Sequence, residues 1–307
     1  MDIIILLFGF SIGLVLLVKG ADEMVSSAIQ IALKFKLPSS IVGATFIGFG
    51  TSAPELFAST RAALKGDLDL GIGNIVGSNI ANSLLVVAVL YLALPKDYSK
   101  KINLNKISPT WMAILTTIFV STYLLTNKFP FLLGIALLVL VLYVIYKMIS
   151  SESDDEEGLM EEEKSYIWLR GGMSLVATLY GSQLVVENAV EIASIFGVSS
   201  LVIGSTIIAI GTSLPEVAGT ISAAKMRKPD IVFGNIFGSN LFNIGLVGGA
   251  AIMISPGEIS SVIDYQLFIM YFVSFIVIFL SRNIIKRNSI LGYVFIALYV
   301  LFLISLF

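Results

Sequence analysis

Gly43-Ala44-Thr45-Phe46-Ile47-Gly48-Phe49-Gly50-Thr51-Ser52-Ala53-Pro54-Glu55 and Gly204-Ser205-Thr206-Ile207-Ile208-Ala209-Ile210-Gly211-Thr212-Ser213-Leu214-Pro215-Glu216 are one phrase written twice, 161 residues apart. Each sets a helix-breaking proline beside a carboxylate inside an apolar segment. A second phrase follows each at the same offset: Gly73-Asn74-Ile75-Val76-Gly77-Ser78-Asn79-Ile80-Ala81-Asn82 and Gly234-Asn235-Ile236-Phe237-Gly238-Ser239-Asn240-Leu241-Phe242-Asn243. The register runs without a gap back to Gly20 and Gly181. One register held this long implies an internal duplication.

Around these phrases the chain is apolar. Its 307 residues are 57% hydrophobic and 13% charged, with a mean hydropathy of +0.95. Ordinary soluble domains carry about a quarter charged residues. Apolar stretches long enough to cross a bilayer recur throughout, so the fold class is an all-α polytopic membrane protein. The net charge of −2 gives nucleic acid no footing, and the absence of Cys and His removes disulfides, thiol chemistry and the common zinc sites. The apolar N-terminus has no basic leader or small-residue cleavage site and reads as a spanning helix.

Ten spans are predicted, near 3–33, 41–64, 71–94, 108–126, 129–149, 166–195, 201–224, 231–254, 262–281 and 288–306. The first and sixth are long, which suits tilted helices. Fifteen basic residues, from Lys34 to Arg287, fall in loops on one side, against Arg61, Lys65 and Lys128 on the other. By the positive-inside rule the rich side is cytoplasmic, and both termini lie outside the cell membrane. Five spans per repeat is an odd number, so the halves must insert upside down relative to each other, as in many secondary transporters. The expected organisation is two five-helix repeats of inverted topology, residues 1–150 and 166–307. They flank an acidic cytoplasmic linker, 151–165, which reads as a solvated hinge, since it lacks EF-hand spacing.

Proline placement locates the chemistry. Six prolines sit near span ends, and only Pro54 and Pro215 lie inside spans. There they break the helix, and carbonyls around 48–51 and 209–212 are expected to be freed at membrane depth. Such carbonyls need protein burial or a bound ligand. Glu55 and Glu216 are the acids nearest mid-membrane, where insertion of a charge costs roughly 2.5–3.5 kcal/mol. A purely structural role is a poor explanation for that cost. Asn74, Ser78 and Asn82, like Asn235, Ser239 and Asn243, recur every four residues and form polar stripes. Gly73/Gly77 and Gly234/Gly238 allow close helix approach. Together these make an all-oxygen cage suited to Ca²⁺, Na⁺ or Mg²⁺. Ser and Asn in membrane helices also serve for packing alone, and for Asn74, Asn79, Asn235 and Asn240 the two readings balance.

At these residues the chain resembles the cation/calcium antiporter superfamily, and within it the sodium/calcium exchanger branch. The resemblance rests on Gly50–Glu55, Gly211–Glu216 and the two Gly-Asn-Ile phrases. It implies that Glu55 and Glu216 ligate calcium together with the carbonyls of Thr51 and Thr212. It implies sodium sites that add Ser52 and Ser78 in one half and Ser213 and Ser239 in the other. Backbone oxygens of Gly48 and Ala209 would contribute, and Asn82 and Asn243 would occupy the middle position. Relatives that also carry potassium have an aspartate where Asn243 stands. Proton-coupled relatives carry a Gly-Asn-x-x-Glu phrase that this chain lacks.

The function expected is therefore sodium-for-calcium antiport by alternating access, with Ca²⁺ and Na⁺ as cargo, no cofactor and no enzymatic chemistry. A single protomer in the bilayer is expected to suffice. Two ionised glutamates in one dry site repel, so both ions compete for the same neutralising role. A proton/calcium exchanger is the alternative, and a cation channel a more distant one.

Overall fold

The computed structural model describes residues 3–101, 104–150, 166–198 and 209–306. The acidic linker and residues 201–208, at the start of the expected seventh span, lie outside them. A lipid interior offers backbone amides no water, so the chain satisfies them within helices. The helices are α1 (Ile3–Phe35), α2 (Ser39–Thr51), α3 (Ala53–Leu64), α4 (Leu68–Ala93), α5 (Ile107–Thr126), α6 (Phe131–Ile149), α7 (Ile167–Ile195), α8 (Leu214–Lys225), α9 (Pro229–Ile254), α10 (Asp264–Ser281) and α11 (Ser289–Ile304). Among the described residues six of these are long and apolar enough to cross a membrane. The bent pair α2–α3 makes a seventh, and α11 is apolar but shorter.

Burial sorts the helices into layers. α4 and α9 form the centre, with 78% and 83% of their apolar windows covered, against 22% for α1. The outer faces remain apolar: Ile4, Phe8 and Val15 on α1 and Leu132 and Leu142 on α6 are exposed. So large an uncovered apolar surface fits lipid, not water.

α1 and α7 pack antiparallel along their length. A Cβ on Gly13 would lie 2.9 Å from the Gly181 carbonyl, and one on Gly20 would lie 2.7 Å from the Thr178 amide nitrogen. Further along, Ser27 approaches Gly171, and Glu23 pairs with Arg170. The residues that match under the 161-residue offset, Gly20 and Gly181, both lie in this seam.

Two short antiparallel strand pairs tie the halves together. β1 (Ser99–Lys101) pairs antiparallel with β4 (Ile284–Lys286), and β2 (Lys128–Phe129) pairs antiparallel with β3 (Gly257–Glu258). The β1–β4 end also holds the Asn105 amide donating to Ser40 Oγ at 3.3 Å and the Arg227–Asp97 pair at 2.6 Å. The Arg227 guanidinium holds the Asp97 carboxyl below its usual range. The pair is exposed, so it contributes little stability. At the β2–β3 end, the Ser260 amide donates to Asp69 at 2.6 Å and the Tyr123 hydroxyl donates to Asp264 at 2.5 Å. Lys34, Lys100, Lys106, Lys225, Lys228, Lys286 and Arg287 all fall at or beside the β1–β4 end.

α9 lies backbone to backbone against α2. A Cβ on Gly234 would collide with the Ser40 carbonyl, and one on Gly238 would sit 2.5 Å from Ala44 Cα. Gly43 reciprocates, 2.5 Å from the Ile231 carbonyl. The expected close approach therefore holds for Gly234/Gly238. Gly77 has no described atom within 4 Å of such a Cβ. The segment matching Ser40–Ala44 under the offset is 201–205, outside the described residues.

Backbone cannot yield as a side-chain tip does. Gly238→Ala is therefore expected to destabilise the folded protein by about 3 kcal/mol, the upper range for overpacking. Gly172→Ala, inside α7 with nothing within 4 Å, should be neutral or slightly stabilising, since glycine in a helix interior costs about 0.5–1 kcal/mol relative to alanine. Thermal unfolding of both variants in detergent checks this, and equal melting temperatures would contradict it.

Candidate cation site

The site starts from the two breaks. α2 runs as a π-turn from Gly43 to Gly48, resumes as a short α-turn from Phe49 to Thr51, and stops at Ser52, whose φ −83°, ψ 0° leaves the helical basin. α3 then begins with Pro54 in its first turn, bent by 46° from α2. Ser213 has the same role before α8, with φ −95°, ψ 4° and Pro215 following. Proline is tolerated there because the first helical amides have no partner anyway. The result places Glu55 and Glu216 each in the first turn of a helix, where the positive end of the dipole favours an anion.

Both carboxylates are buried, 4% and 2% exposed, and the described residues offer neither an ion-pair partner. Glu216 lies within reach of the Glu55 charge and the Thr51 hydroxyl. Ser78 Oγ donates to Glu55 Oε1 at 3.4 Å. Glu55 Oε2 and Glu216 Oε2 are buried without a hydrogen-bond partner among the described residues, as are Ser52 Oγ and Asn243 Oδ1. Buried carboxylate oxygens left unpaired are expensive. These two carboxylate oxygens, one hydroxyl and one amide oxygen, all from the repeated phrases, are of the donor type that Ca²⁺ or Na⁺ takes.

The expected residues separate by environment. Thr51, Ser52, Ser78, Ser213, Ser239, Asn82 and Asn243 are buried, as is Gly48. Thr212 is exposed. It lines a cavity of about 230 Å³ with Ser213, Asn74, Ser78, Gln266 and Tyr299. Ala209 begins the short turn Ala209–Gly211. Two of the carbonyls expected to be free, those of Gly48 and Gly211, are engaged. Gly48 O accepts from the Ser52 amide at 3.2 Å and from Ser239 Oγ at 3.2 Å, and Gly211 O accepts from Ser182 Oγ at 3.2 Å. Pro215 has no amide to offer Gly211 O four residues back, and the Ser182 hydroxyl takes that place. Gly48 O must release a donor before it can meet an ion.

Two features escaped the sequence reading. Asn82 and Asn243 each open a π-turn, Asn82–Val86 and Asn243–Gly248, a local widening that often marks functional positions. Asn79 and Asn240 join across the repeats. Asn243 Nδ2 donates to Asn79 Oδ1 at 3.0 Å, and Asn82 Nδ2 donates to Asn240 Oδ1 at 3.1 Å. The Asn-x-x-Asn spacing, present in both halves, was the available signal. Asn74 donates to Ser59 Oγ at 2.9 Å.

Comparison with known proteins converges on one family. The family model described as sodium/calcium exchanger protein matches residues 5–151 and 166–307. The chain is 38% identical over 264 residues to a putative antiporter, CaxA, of Alkalimonas amylolytica, covering 81% of each. It is 30% identical over 348 residues to the sodium/calcium exchanger MaX1 of Methanosarcina acetivorans, covering 96% of this chain and 97% of that one. The fold superposes on the sodium-calcium exchanger NCX_Mj, soaked with zero Na⁺ and Ca²⁺, with a TM-score of 0.84 and 27% identity over 100% of both chains. On the strength of two repeated phrases, a helix break at each buried glutamate and a match over both halves, the chain belongs to the sodium/calcium exchanger family.

Proposed function

We propose that this protein is a secondary active antiporter that exchanges sodium for calcium across the membrane by alternating access. The observation that carries this reading is the set of unpartnered buried oxygens on Glu55, Glu216, Ser52 and Asn243. A single divalent cation neutralises both carboxylates at once, and so do two or more sodium ions. Each ion needs the same groups, so binding one excludes the other. Ser78, Ser213, Ser239, Thr51, Thr212, Asn82, Gly48 and Ala209 are the proposed supporting ligands. The neighbouring hydroxyls and amides tune the number of oxygens each ion receives.

In this reading the chain has ten spans in two inverted repeats, 1–150 and 166–307, joined by the linker 151–165. Several observations support it. The matching first helices, α1 and α7, run antiparallel. The strand pairs exchange roles, β1 pairing with β4 at one end and β2 with β3 at the other. Basic residues gather at the β1–β4 end, which is taken as cytoplasmic, with both termini outside the cell membrane. The cavity beside Ser78, Thr212 and Ser213 is also lined by Phe302 and Leu306, near the C-terminus. The α2–α9 glycine contact closes the opposite approach. The site would thus stand open to the outside. Movement of the α1–α7 pair across the central helices would alternate access, with one protomer sufficient.

⁴⁵Ca uptake into proteoliposomes tests the exchange. Uptake should require internal sodium and fall to background with choline in its place. Uptake indifferent to sodium and driven by an acidic interior would contradict sodium coupling, and unitary currents without a counter-ion would contradict exchange. Glu55→Gln and Glu216→Gln should each abolish calcium uptake while leaving the detergent melting profile close to wild type. Wild-type rates in either variant would overturn the site assignment.

A further inference from the structure

Asn79 and Asn240 are wholly buried, lie off the polar stripe of Asn74, Ser78 and Asn82, and have no part in the ligand set above. Their bonds form a closed arrangement across the crossing of α4 and α9. Asn79 Oδ1 accepts from Asn243 Nδ2 at 3.0 Å, and Asn240 Oδ1 accepts from Asn82 Nδ2 at 3.1 Å. Each acceptor is itself held. Asn240 Nδ2 donates to Ser83 Oγ at 3.2 Å, and Asn79 Nδ2 donates to the Asn240 carbonyl at 3.4 Å and to Met270 Sδ at 3.7 Å.

A primary amide presents an oxygen on one side and an NH₂ of nearly the same shape on the other. Packing cannot tell them apart, and only hydrogen bonding decides which way the group faces. At a cation site the difference is decisive, since the oxygen ligates and the NH₂ repels. Asn243 Oδ1 is buried and unpartnered among the described residues, while the NH₂ of the same side chain is occupied by Asn79. We propose that Asn79 and Asn240 are positioning residues. By capturing the NH₂ groups of Asn243 and Asn82, they fix those amides with the oxygen toward the transported cation. Each repeat thereby orients a ligand of the other. Without the acceptor, a buried NH₂ is left unpaired and competes for the site's free carboxylate oxygens.

This rests on the exchange reading, which the unsubstituted chain tests separately in the same vesicles. The test uses two near-isosteric substitutions with opposite consequences. Asn79→Leu keeps the shape and loses the acceptor, and Asn79→Asp keeps both, its buried carboxyl, protonated, donating to the Asn240 carbonyl in place of Nδ2. Sodium-driven ⁴⁵Ca uptake is measured against sodium and calcium concentration. Asn79→Leu is expected to raise the half-saturating concentration of at least one ion by about tenfold, the scale of a lost hydrogen bond beside a charge. The maximum rate should change less, and Asn79→Asp should stay near wild type. A role in packing alone predicts the reverse order, with Leu tolerated and a buried carboxyl harmful. Half-saturation within about twofold of wild type for Asn79→Leu would overturn the proposal. If Asn79→Leu does not fold, Asn240→Leu and Asn240→Asp read the same effect through Asn82. Failure of both leucine variants to fold would assign these residues to structure and overturn the proposal.

Discussion

Two carboxylates buried close together in an apolar interior, with no basic side chain among the described residues to meet them, are the constraint from which the architecture follows. Glu55 and Glu216 cannot be neutralised by the protein, so something else must do it. The fold spends its irregularities on making that possible. Each helix is broken one turn before its glutamate, so that the carboxylate meets a helix N-terminus. α4 and α9 cross beside the glutamates and bring serine and asparagine oxygens to the same depth. Close packing at Gly43, Gly234 and Gly238 permits that approach, because any side chain there would push α2 and α9 apart.

Duplication produces two copies of each part, and the copies differ in what they touch. Ser78 donates to the glutamate of its own half, whereas Ser239 donates to the Gly48 carbonyl of the other half. Thr51 is buried while Thr212 faces the cavity. Nothing in the local phrases demands this, since Gly-Thr-Ser-x-Pro-Glu reads alike in both. One sequence motif in two environments is what a transporter caught with its site open on one side should display.

Much of this was legible in the chain. Hydropathy located the helices to within a few residues: 3–33 became Ile3–Phe35, and 166–195 became Ile167–Ile195. A proline inside an apolar run beside an acid pointed to the break and the buried glutamate, because both are costly and must be compensated. Other features depend on tertiary partners. The carbonyl of Gly48 was expected to be bare, yet the Ser239 hydroxyl, 191 residues away, finds it. The π-turns at Asn82 and Asn243 add no unusual residue to the pattern, so periodicity passes over them. Asn79 and Asn240 could be either packing or ligand by composition, and the cross-repeat hydrogen bonds that point to the proposed positioning role appear only in the fold.

The central claim is that sodium and calcium contend for the same two carboxylates. Equilibrium binding of ⁴⁵Ca to the purified protein, titrated with sodium at constant ionic strength, measures this without transport. The account predicts complete displacement, with a sodium dependence steeper than a single ion would give and no calcium bound at any sodium concentration in Glu216→Gln. Calcium binding that persists undiminished in saturating sodium would contradict it.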